Sequence, residues 1–373
     1  MPLDEAHLGA SMTPTRRDTV FGALAGLAAG TPVLAGPAGD TVRAVEAAAL
    51  AAASQGFSGQ IHLELGGQVA LSRAYGRSRP GDAPRLTPRT RINIASISKS
   101  ITATAVFGLI EDGHLALTDR IARFLPDVPS DKAGITLAQL MEHSAGLPNS
   151  YAADGIADRG KAMAAILAEP LAFAPGSSSL YSNLNYEVLA AVLEIASGQD
   201  YADLVRREVL VPAGMVDTRL WAELDPRTSP DIAAIAPTDP GADFSVDALG
   251  PNWGYLGSGG TWSTADDIAA FVRAVVAGRI INAGSVATML APRIGTRGPS
   301  SFTYGWFVRA SPRPMVWTRG NEDWGHNAVA YWWPGPRILL TLTSNAGLHQ
   351  DLAWSRWLGE SLEPVLLAPT DPV

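Results

Sequence analysis

The sequence lacks cysteine altogether and has only three lysines, Lys99, Lys132 and Lys161, against 25 arginines. Without cysteine the chain has no disulfides, no thiolate metal ligands and no cysteine nucleophile. Lysine can give up its proton in a protein whereas arginine cannot, so a lysine in this arginine-preferring chain is informative. The sequence also has no run of basic residues, and its net charge of −8 argues against nucleic acid as a partner.

Metal-ligand spacing is absent as well. The six histidines are scattered along the chain, and none of them pairs with another at the short spacing of a metal site. We therefore expect no metal and no other cofactor. The hydrophobic content of 47% and the charged content of 17% are typical of an ordinary globular protein.

The N-terminal segment, residues 1–40, is typical of an export signal followed by a disordered lead. Arg16 and Arg17 precede an apolar run from Val20 to Ala35, which is too short and too rich in glycine to span a membrane. Paired arginines before such a run resemble a twin-arginine signal. We expect an exported protein, periplasmic or secreted, without a transmembrane span in the mature chain; an incidental arginine pair is the alternative.

A helix with two polar residues at its start organises the rest of the chain. Within residues 91–113, apolar residues recur every four positions, and Gly113 lies where the helix would end. Ser96 and Lys99 are three positions apart, so they share one face. A hydroxyl beside an amine at a buried helix start suits nucleophilic catalysis, because burial and the helix dipole both disfavour a charged ammonium there. The pair also fits an ordinary N-cap serine and a solvated lysine.

The order of patterns along the chain predicts an α+β fold. Residues 58–76 alternate and turn at two glycines, which is typical of a β-hairpin. Helical periodicity dominates from 115 to about 300, and strand patterns return after 300 before a closing helix. We expect an antiparallel sheet domain, residues 41–95 plus 300–373, flanked by terminal helices. A large all-helical domain, residues 96–299, is inserted into it, and the active site lies between the two.

Two further motifs carry chemistry. Tyr181-Ser-Asn183 precedes a helix; a tyrosine hydroxyl can pass a proton to a leaving group, and an asparagine amide can hold a carbonyl. Asn183 could equally be a helix cap. His326-Asn327-Ala328 lies on a predicted strand among tryptophans, which indicates either an aromatic-walled pocket or a core edge.

Together these motifs resemble the serine β-lactamase and penicillin-binding-protein superfamily, on the side of class C enzymes, D-alanyl-D-alanine carboxypeptidases and family VIII esterases. The order is Ser-x-x-Lys, then Tyr-x-Asn, then a strand triplet. Further stretches that resemble the family cover most of residues 41–350: Leu140–Pro148, Phe173–Gly176, Val211–Thr218, Gly259–Asp267 and Tyr304–Trp306.

The resemblance implies a role for each motif residue. Ser96 matches the acylated nucleophile and Lys99 its general base. Tyr181 matches the proton-relay tyrosine, and Asn183 matches the amide that binds substrate.

On the strand, the resemblance places His326, Asn327 and Ala328 at the family's Lys-Thr-Gly triplet, in contact with substrate. The triplet's final glycine is replaced by Ala328, whose methyl group would narrow the slot beside the nucleophile. The oxyanion hole would use the backbone N–H groups of Ser96 and Val329.

The resulting hypothesis is an exported serine hydrolase that acts through an acyl-enzyme on a small ester or a D-amino-acid peptide. A neutral His326 in place of lysine disfavours an anionic β-lactam. A β-lactamase or an acyltransferase with the same Ser-Lys-Tyr chemistry, and a non-catalytic binding or scaffold protein on this fold, are the alternatives. The oligomeric state does not follow from the sequence.

Overall fold

The computed structural model describes residues 36–78, 84–224, 229, 231–233, 252–295, 299–322 and 324–368. The helices are α1 (Pro37–Ser54), α2 (Ile97–Glu111), α3 (Leu137–Met141), α4 (Arg159–Ala168), α5 (Leu184–Ser197), α6 (Tyr201–Val205), α7 (Val211–Ala213), α8 (Ala265–Val276), α9 (Ala283–Met289) and α10 (Trp354–Leu366). The strands are β1 (Gly59–Leu65), β2 (Gln68–Tyr75), β3 (Ile92–Asn93), β4 (Arg219–Leu220), β5 (Thr261–Ser263), β6 (Ile294–Gly295), β7 (Ser300–Phe302), β8 (Phe307–Arg309), β9 (Met315–Asn321), β10 (Asn327–Trp333), β11 (Ile338–Ser344), β12 (Leu348–His349) and β13 (Leu352–Ala353).

The main sheet is antiparallel and joins the two ends of the described chain. Its strand order within the described residues is β2-β1-β11-β10-β9-β8-β7-β6. The hairpin predicted over 58–76 is confirmed as β1 and β2, which pair in antiparallel register around Gly66 and Gly67. The first hairpin therefore lies beside the last long strand, β11, and the predicted α+β class is confirmed.

Helices cover both faces of this sheet. The side chains of β1 show this, because they alternate between contacts with α1 and α10 and contacts with α8. Ile61 and Leu63 belong to the apolar cluster that includes Trp354 of α10 and Val45 of α1. His62, one position along, contacts Asp266 of α8 instead. Successive side chains of a strand point to opposite faces, so α1 and α10 cover one face and α8 covers the other.

The second apolar cluster surrounds α2. Of its 15 residues, all from Ile97 to Leu109 are buried, which agrees with the predicted passage through a core. α5 packs against α2 and ends at Gly198, whose φ of 68° is the left-handed conformation typical of a helix C-terminus. The segment predicted to be helical also contributes β4 and β5, which form a small antiparallel sheet with β3.

The N-terminal segment is only partly within the described residues. Of residues 1–40, predicted as export signal and lead, positions 1–35 lie outside them. Helix α1 begins at Pro37, inside the range 1–40 assigned to the lead. Among the described residues, no helix combines the length and the apolar character that a membrane span requires.

Candidate active site

Ser96 lies at a strained turn between β3 and α2. The preceding residue, Ala95, has a φ of 51°, a left-handed conformation that alanine rarely adopts. The side chain of Asn93 stabilises it by accepting the Ala95 N–H at 2.7 Å. Strain of this kind is typical of functional sites. The Ser96 side chain makes no capping hydrogen bond to the helix, so the structure does not support the ordinary N-cap alternative.

Lys99 lies one turn further along α2 and is only 2% exposed, which also contradicts the solvated alternative. Its Nζ lies 3.0 Å from Ser96 Oγ, 2.8 Å from Asn183 Oδ1 and 2.7 Å from the carbonyl oxygen of Ser258. All three partners are neutral. Two of the three contacts are donations to Asn183 and Ser258, so the remaining position of the Lys99 nitrogen faces the Ser96 hydroxyl.

Tyr181 approaches the same hydroxyl from the other side. Its Oη donates to Ser96 Oγ at 2.7 Å, while the residue is 42% exposed at the mouth of the site. The Ser96 oxygen therefore lies between an amine and a phenol. A serine between a potential base and a potential acid is the arrangement that covalent catalysis requires.

A buried carboxyl group lies behind Lys99. Glu187, on the first turn of α5, is 2% exposed, and its Oε1 accepts the Ser258 hydroxyl at 3.1 Å. Burial, together with the charge of Asp154, raises the pKa of Glu187 to about 8, against a smaller opposing effect of the Ser258 hydrogen bond and Lys99. Glu187 is therefore neutral near pH 7 and presents no full negative charge to Lys99.

The strand beside the nucleophile is β9. A Cβ atom at Gly320 would lie 2.5 Å from Ser96 N and 2.6 Å from Ala95 Cβ, so only glycine permits this approach. The neighbouring strand β8 pairs with residues 315–317 only, which leaves residues 318–321 with one open edge. The Glu322 N–H points towards β10, because it donates to the His326 carbonyl oxygen. Successive backbone N–H groups of a strand point to opposite edges, so the Asn321 N–H points to the open edge.

The predicted strand triplet is corrected by this geometry. His326 is fully buried, and its Nδ1 accepts the Asn93 N–H at 3.1 Å, so it does not face a substrate. Asn327 is also fully buried; its side chain donates to Gly325 and Gly347 carbonyls and accepts the Ser355 N–H.

Ala328 and Val329 also lie away from their predicted positions beside Ser96, because β9 separates their strand from the nucleophile. Ala328 borders the cavity but pairs with Gly320, so it lies one strand away from Ser96 and does not narrow the slot. Val329 pairs with β9 on one side and β11 on the other. Its N–H is therefore not on an open edge, whereas that of Asn321 is.

Strand β9 was not predicted, because the triplet was placed on the later strand that carries His326. Two features of the sequence indicated that β9 was the better choice. Residues 315–320 combine β-branched and aromatic residues and end in a glycine, whereas the chosen triplet ended in alanine. The mismatch at Ala328 thus indicated the wrong strand.

A cavity of about 820 Å³ opens above Ser96. Its wall carries two guanidinium groups, Arg319 and Arg356, and three carboxyl groups. The carboxyl groups are those of Asp154, Glu322 and Asp351. Partial burial raises the pKa of Asp154 to about 6.

The fold and this serine–lysine–tyrosine cluster define the class as serine hydrolases. The sequence model of the Beta-lactamase family matches residues 46–353, and the chain belongs to that family. The family resemblance predicted from the motifs is confirmed, as is the prediction of a hydrolytic enzyme.

Relatives within the family have diverged far in sequence. Penicillin-binding protein 4* of Bacillus subtilis is 28% identical over 330 residues, covering 83% of this chain and 72% of that protein. D-alanyl-D-alanine-carboxypeptidase/endopeptidase AmpH of Escherichia coli K12 is 29% identical over 225 residues. The match covers 57% of this chain and 56% of AmpH, so the chain spans about half the length of that relative.

Solved structures share the fold. A penicillin-binding protein from Bacillus halodurans superposes with a TM-score of 0.74 at 17% identity, covering 86% of this chain and 99% of that one. The D-amino acid amidase from Ochrobactrum anthropi, complexed with L-phenylalanine amide, superposes with a TM-score of 0.74 at 22% identity, covering 88% of this chain and 97% of that one.

Proposed function

We propose that the protein is a D-amino-acid peptidase, with activity on small esters, in which Ser96 forms the acyl-enzyme. The observation that carries this proposal is the position of Ser96 Oγ, 3.0 Å from Lys99 Nζ and 2.7 Å from Tyr181 Oη. Ser96 Oγ bonds to the substrate carbonyl carbon and its proton passes to Lys99. The bond to the leaving group then breaks, Tyr181 delivers its proton to the leaving atom, and the proton taken up by Lys99 restores the Tyr181 hydroxyl. Water then attacks the acyl carbon, the bond to Ser96 Oγ breaks, and a proton of the water returns to Ser96 Oγ as the acid leaves.

The oxyanion of this reaction would be held by two backbone donors. One is the N–H of Ser96, at the positive end of the α2 dipole. The other is the N–H of Asn321 on the open edge of β9. Asn183 keeps its Oδ1 on Lys99, which leaves its amide N–H groups to bind a substrate carbonyl.

Arg319 supports a substrate with a carboxylate beside the scissile bond. It precedes Gly320 on β9 and borders the cavity. Its guanidinium lies 5.3 Å from the Trp317 ring centroid, and no ion pair joins it to any residue that the structure describes. Arg356 pairs with Glu360 at 2.7 Å. A half-buried guanidinium with no ion pair in the described part of the chain suits a carboxylate ligand.

The positive charge of Arg319 favours a substrate with a carboxylate group. The prediction against anionic substrates depended on a neutral His326 in the binding slot, and His326 is buried elsewhere. The free carboxylate of a D-peptide fits Arg319, and AmpH, by its name, is a D-alanyl-D-alanine carboxypeptidase.

Turnover measurements with matched substrates test this proposal. We expect a peptide ending in D-Ala-D-Ala to be cleaved at least about tenfold faster than its C-terminal amide, which corresponds to about 1.4 kcal/mol of carboxylate binding. Arg319→Gln should abolish the preference, and Arg356→Gln should lower it less because Glu360 already occupies that guanidinium. Equal rates for acid and amide, or full activity of Ser96→Ala, would contradict the proposal.

The same assay separates the alternatives. A cephalosporin cleaved far faster than both the D-peptides and p-nitrophenyl esters would indicate a β-lactamase. Transfer product on addition of an alcohol or amine would indicate an acyltransferase. No turnover of any acyl substrate would leave a binding protein.

We also propose export of the protein through the twin-arginine route, on the basis of Arg16, Arg17 and the apolar run that follows. Replacing both arginines with lysine in the full chain should retain the protein in the cytoplasm of a producing cell. Unchanged export would contradict this proposal.

A further inference from the structure

The position of Tyr181 needs an explanation, because little of the protein packs around it. The residue lies in an irregular segment before α5 and is 42% exposed. An exposed ring gains little orientation from packing. Yet its hydroxyl lies 2.7 Å from Ser96 Oγ, and a misplacement of about 1 Å can cost about 10²-fold in rate.

His143 holds the backbone on both sides of Tyr181. The Leu180 N–H donates to the carbonyl oxygen of His143 at 2.9 Å. The Ser182 N–H donates to His143 Nδ1 at 3.3 Å. One residue thus accepts the two N–H groups that flank Tyr181, which fixes the direction in which the tyrosine side chain leaves the backbone.

The imidazole ring also contacts the tyrosine ring directly. The two ring centroids are 4.5 Å apart at an angle of 41°. Asn185, on the first turn of α5, donates its amide to the same Nδ1 at 2.9 Å. His143 therefore links the tyrosine ring, the irregular segment and the helix that carries it.

The ring is neutral, which this arrangement requires. Burial, and to a smaller extent electrostatic repulsion from Lys99, holds the pKa of His143 well below its usual value. Because Nδ1 accepts two hydrogen bonds, the proton lies on Nε2, which is buried and has no hydrogen-bond partner in the described part of the chain. His143 itself has a φ of 62°, a strained conformation at a buried position.

We propose that His143 is a positioning residue that holds the Tyr181 hydroxyl where it can protonate the leaving group. This inference rests on the role proposed for Tyr181 above. It assigns a task to the stretch Leu140–Pro148, which the sequence singled out and the cluster around Ser96 does not include.

A comparison of leaving groups tests this role. Two substrates with the same acyl group are used, a p-nitrophenyl ester, whose leaving group needs little protonation, and an alkyl ester, whose leaving group needs it. We expect Tyr181→Phe and His143→Phe each to lower kcat for the alkyl ester by about tenfold or more beyond the loss for the aryl ester. His143→Asn retains an acceptor near Nδ1 and should recover part of that loss.

A double substitution separates positioning from a general structural effect. In Tyr181→Phe/His143→Phe, the leaving-group dependence should equal that of Tyr181→Phe alone, because His143 acts through the tyrosine. A loss in His143→Phe that is equal for both esters, or losses that multiply in the double variant, would overturn the inference while leaving Tyr181 in its role. No leaving-group dependence in Tyr181→Phe would overturn both.

Circular dichroism and thermal unfolding establish that each variant is folded. Should His143→Phe not fold, His143→Gln replaces it, since glutamine keeps a polar group in the buried site but displaces the acceptor. The same leaving-group dependence is then expected, and its absence in a folded His143→Gln contradicts the inference.

Discussion

Two buried basic side chains in this molecule have opposite surroundings. Lys99 has three neutral hydrogen-bond partners. His62, under α8, lies between two carboxylates, with Asp266 at 2.7 Å and Glu64 at 3.2 Å. His62 between its carboxylates forms ion pairs that join β1 to α8, whereas Lys99 among neutral acceptors faces the Ser96 hydroxyl. The comparison teaches that the surroundings, more than burial, separate a candidate base from a structural ion pair.

Removing the amine of Lys99 should give the largest effect. Lys99→Met is expected to lower kcat/KM by about 10³-fold or more, because the Ser96 proton loses its acceptor. The protein should stay folded but melt at a somewhat lower temperature, since methionine cannot replace the hydrogen bonds to Asn183 and Ser258. Steady-state kinetics and thermal unfolding check both, and near-normal activity would remove Lys99 from the mechanism.

Displacing the strand beside the nucleophile should give the second largest effect. Gly320→Ala is expected to lower kcat by about 10²-fold, because its methyl group would push β9 away from Ser96. Ala328→Gly is the matched control on β10 and should change kcat by less than about threefold. A larger loss of kcat in Ala328→Gly than in Gly320→Ala would show that the strand with residues 326–328 lies next to the nucleophile instead.

Replacing the carboxyl group behind Lys99 with an amide should change stability in a pH-dependent way. The pKa of Glu187 is about 8 in the folded state, against 4.5 for an ordinary glutamate. Between these values the folded state binds the extra proton, so wild-type stability falls as pH rises from about 4.5 to 8. Glu187→Gln removes this dependence.

We expect Glu187→Gln to be more stable than wild type by about 1–3 kcal/mol at pH 8 and to show little difference at pH 5. Urea unfolding at both pH values measures this. A difference that does not change with pH would show that Glu187 is already ionised in the folded protein.

The smallest effect is expected at the contrasting cluster. Burial lowers the pKa of His62, but the hydrogen bonds and charges of Asp266 and Glu64 outweigh it, and the net shift is upward. Stability from this pairing is therefore full below pH about 6.5, the usual pKa of histidine, and is lost as pH rises through the raised value.

Asp266→Asn should destabilise by about 1 kcal/mol at pH 6 and by less at pH 9, with kcat/KM unchanged; solvent screens the half-exposed carboxylate and keeps the cost low. Unfolding by urea at the two pH values checks the sign. A large loss of activity in a folded Asp266→Asn would end the distinction between the two sites.

The sequence predicted those parts of the site that depend on local spacing. Ser96 and Lys99 are one helical turn apart, and Tyr181-Ser-Asn183 forms one short motif, so helix geometry and motif order suffice to identify them. The strand side depends instead on which strand is an edge, and strand order is not local. The strand to which the triplet at 326–328 was assigned has neighbours on both sides. The contacts of Arg319, His143 and Glu187 likewise depend on tertiary packing.

The central claim is that Ser96 is the residue that becomes acylated. Intact-mass measurement after incubation with a fluorophosphonate probe tests it most directly, because the probe bonds only to an activated hydroxyl. We predict a single adduct on the wild-type protein, mapped to the peptide that contains Ser96, and no adduct on Ser96→Ala. An unmodified wild-type protein, or an adduct that persists in Ser96→Ala, would contradict the account.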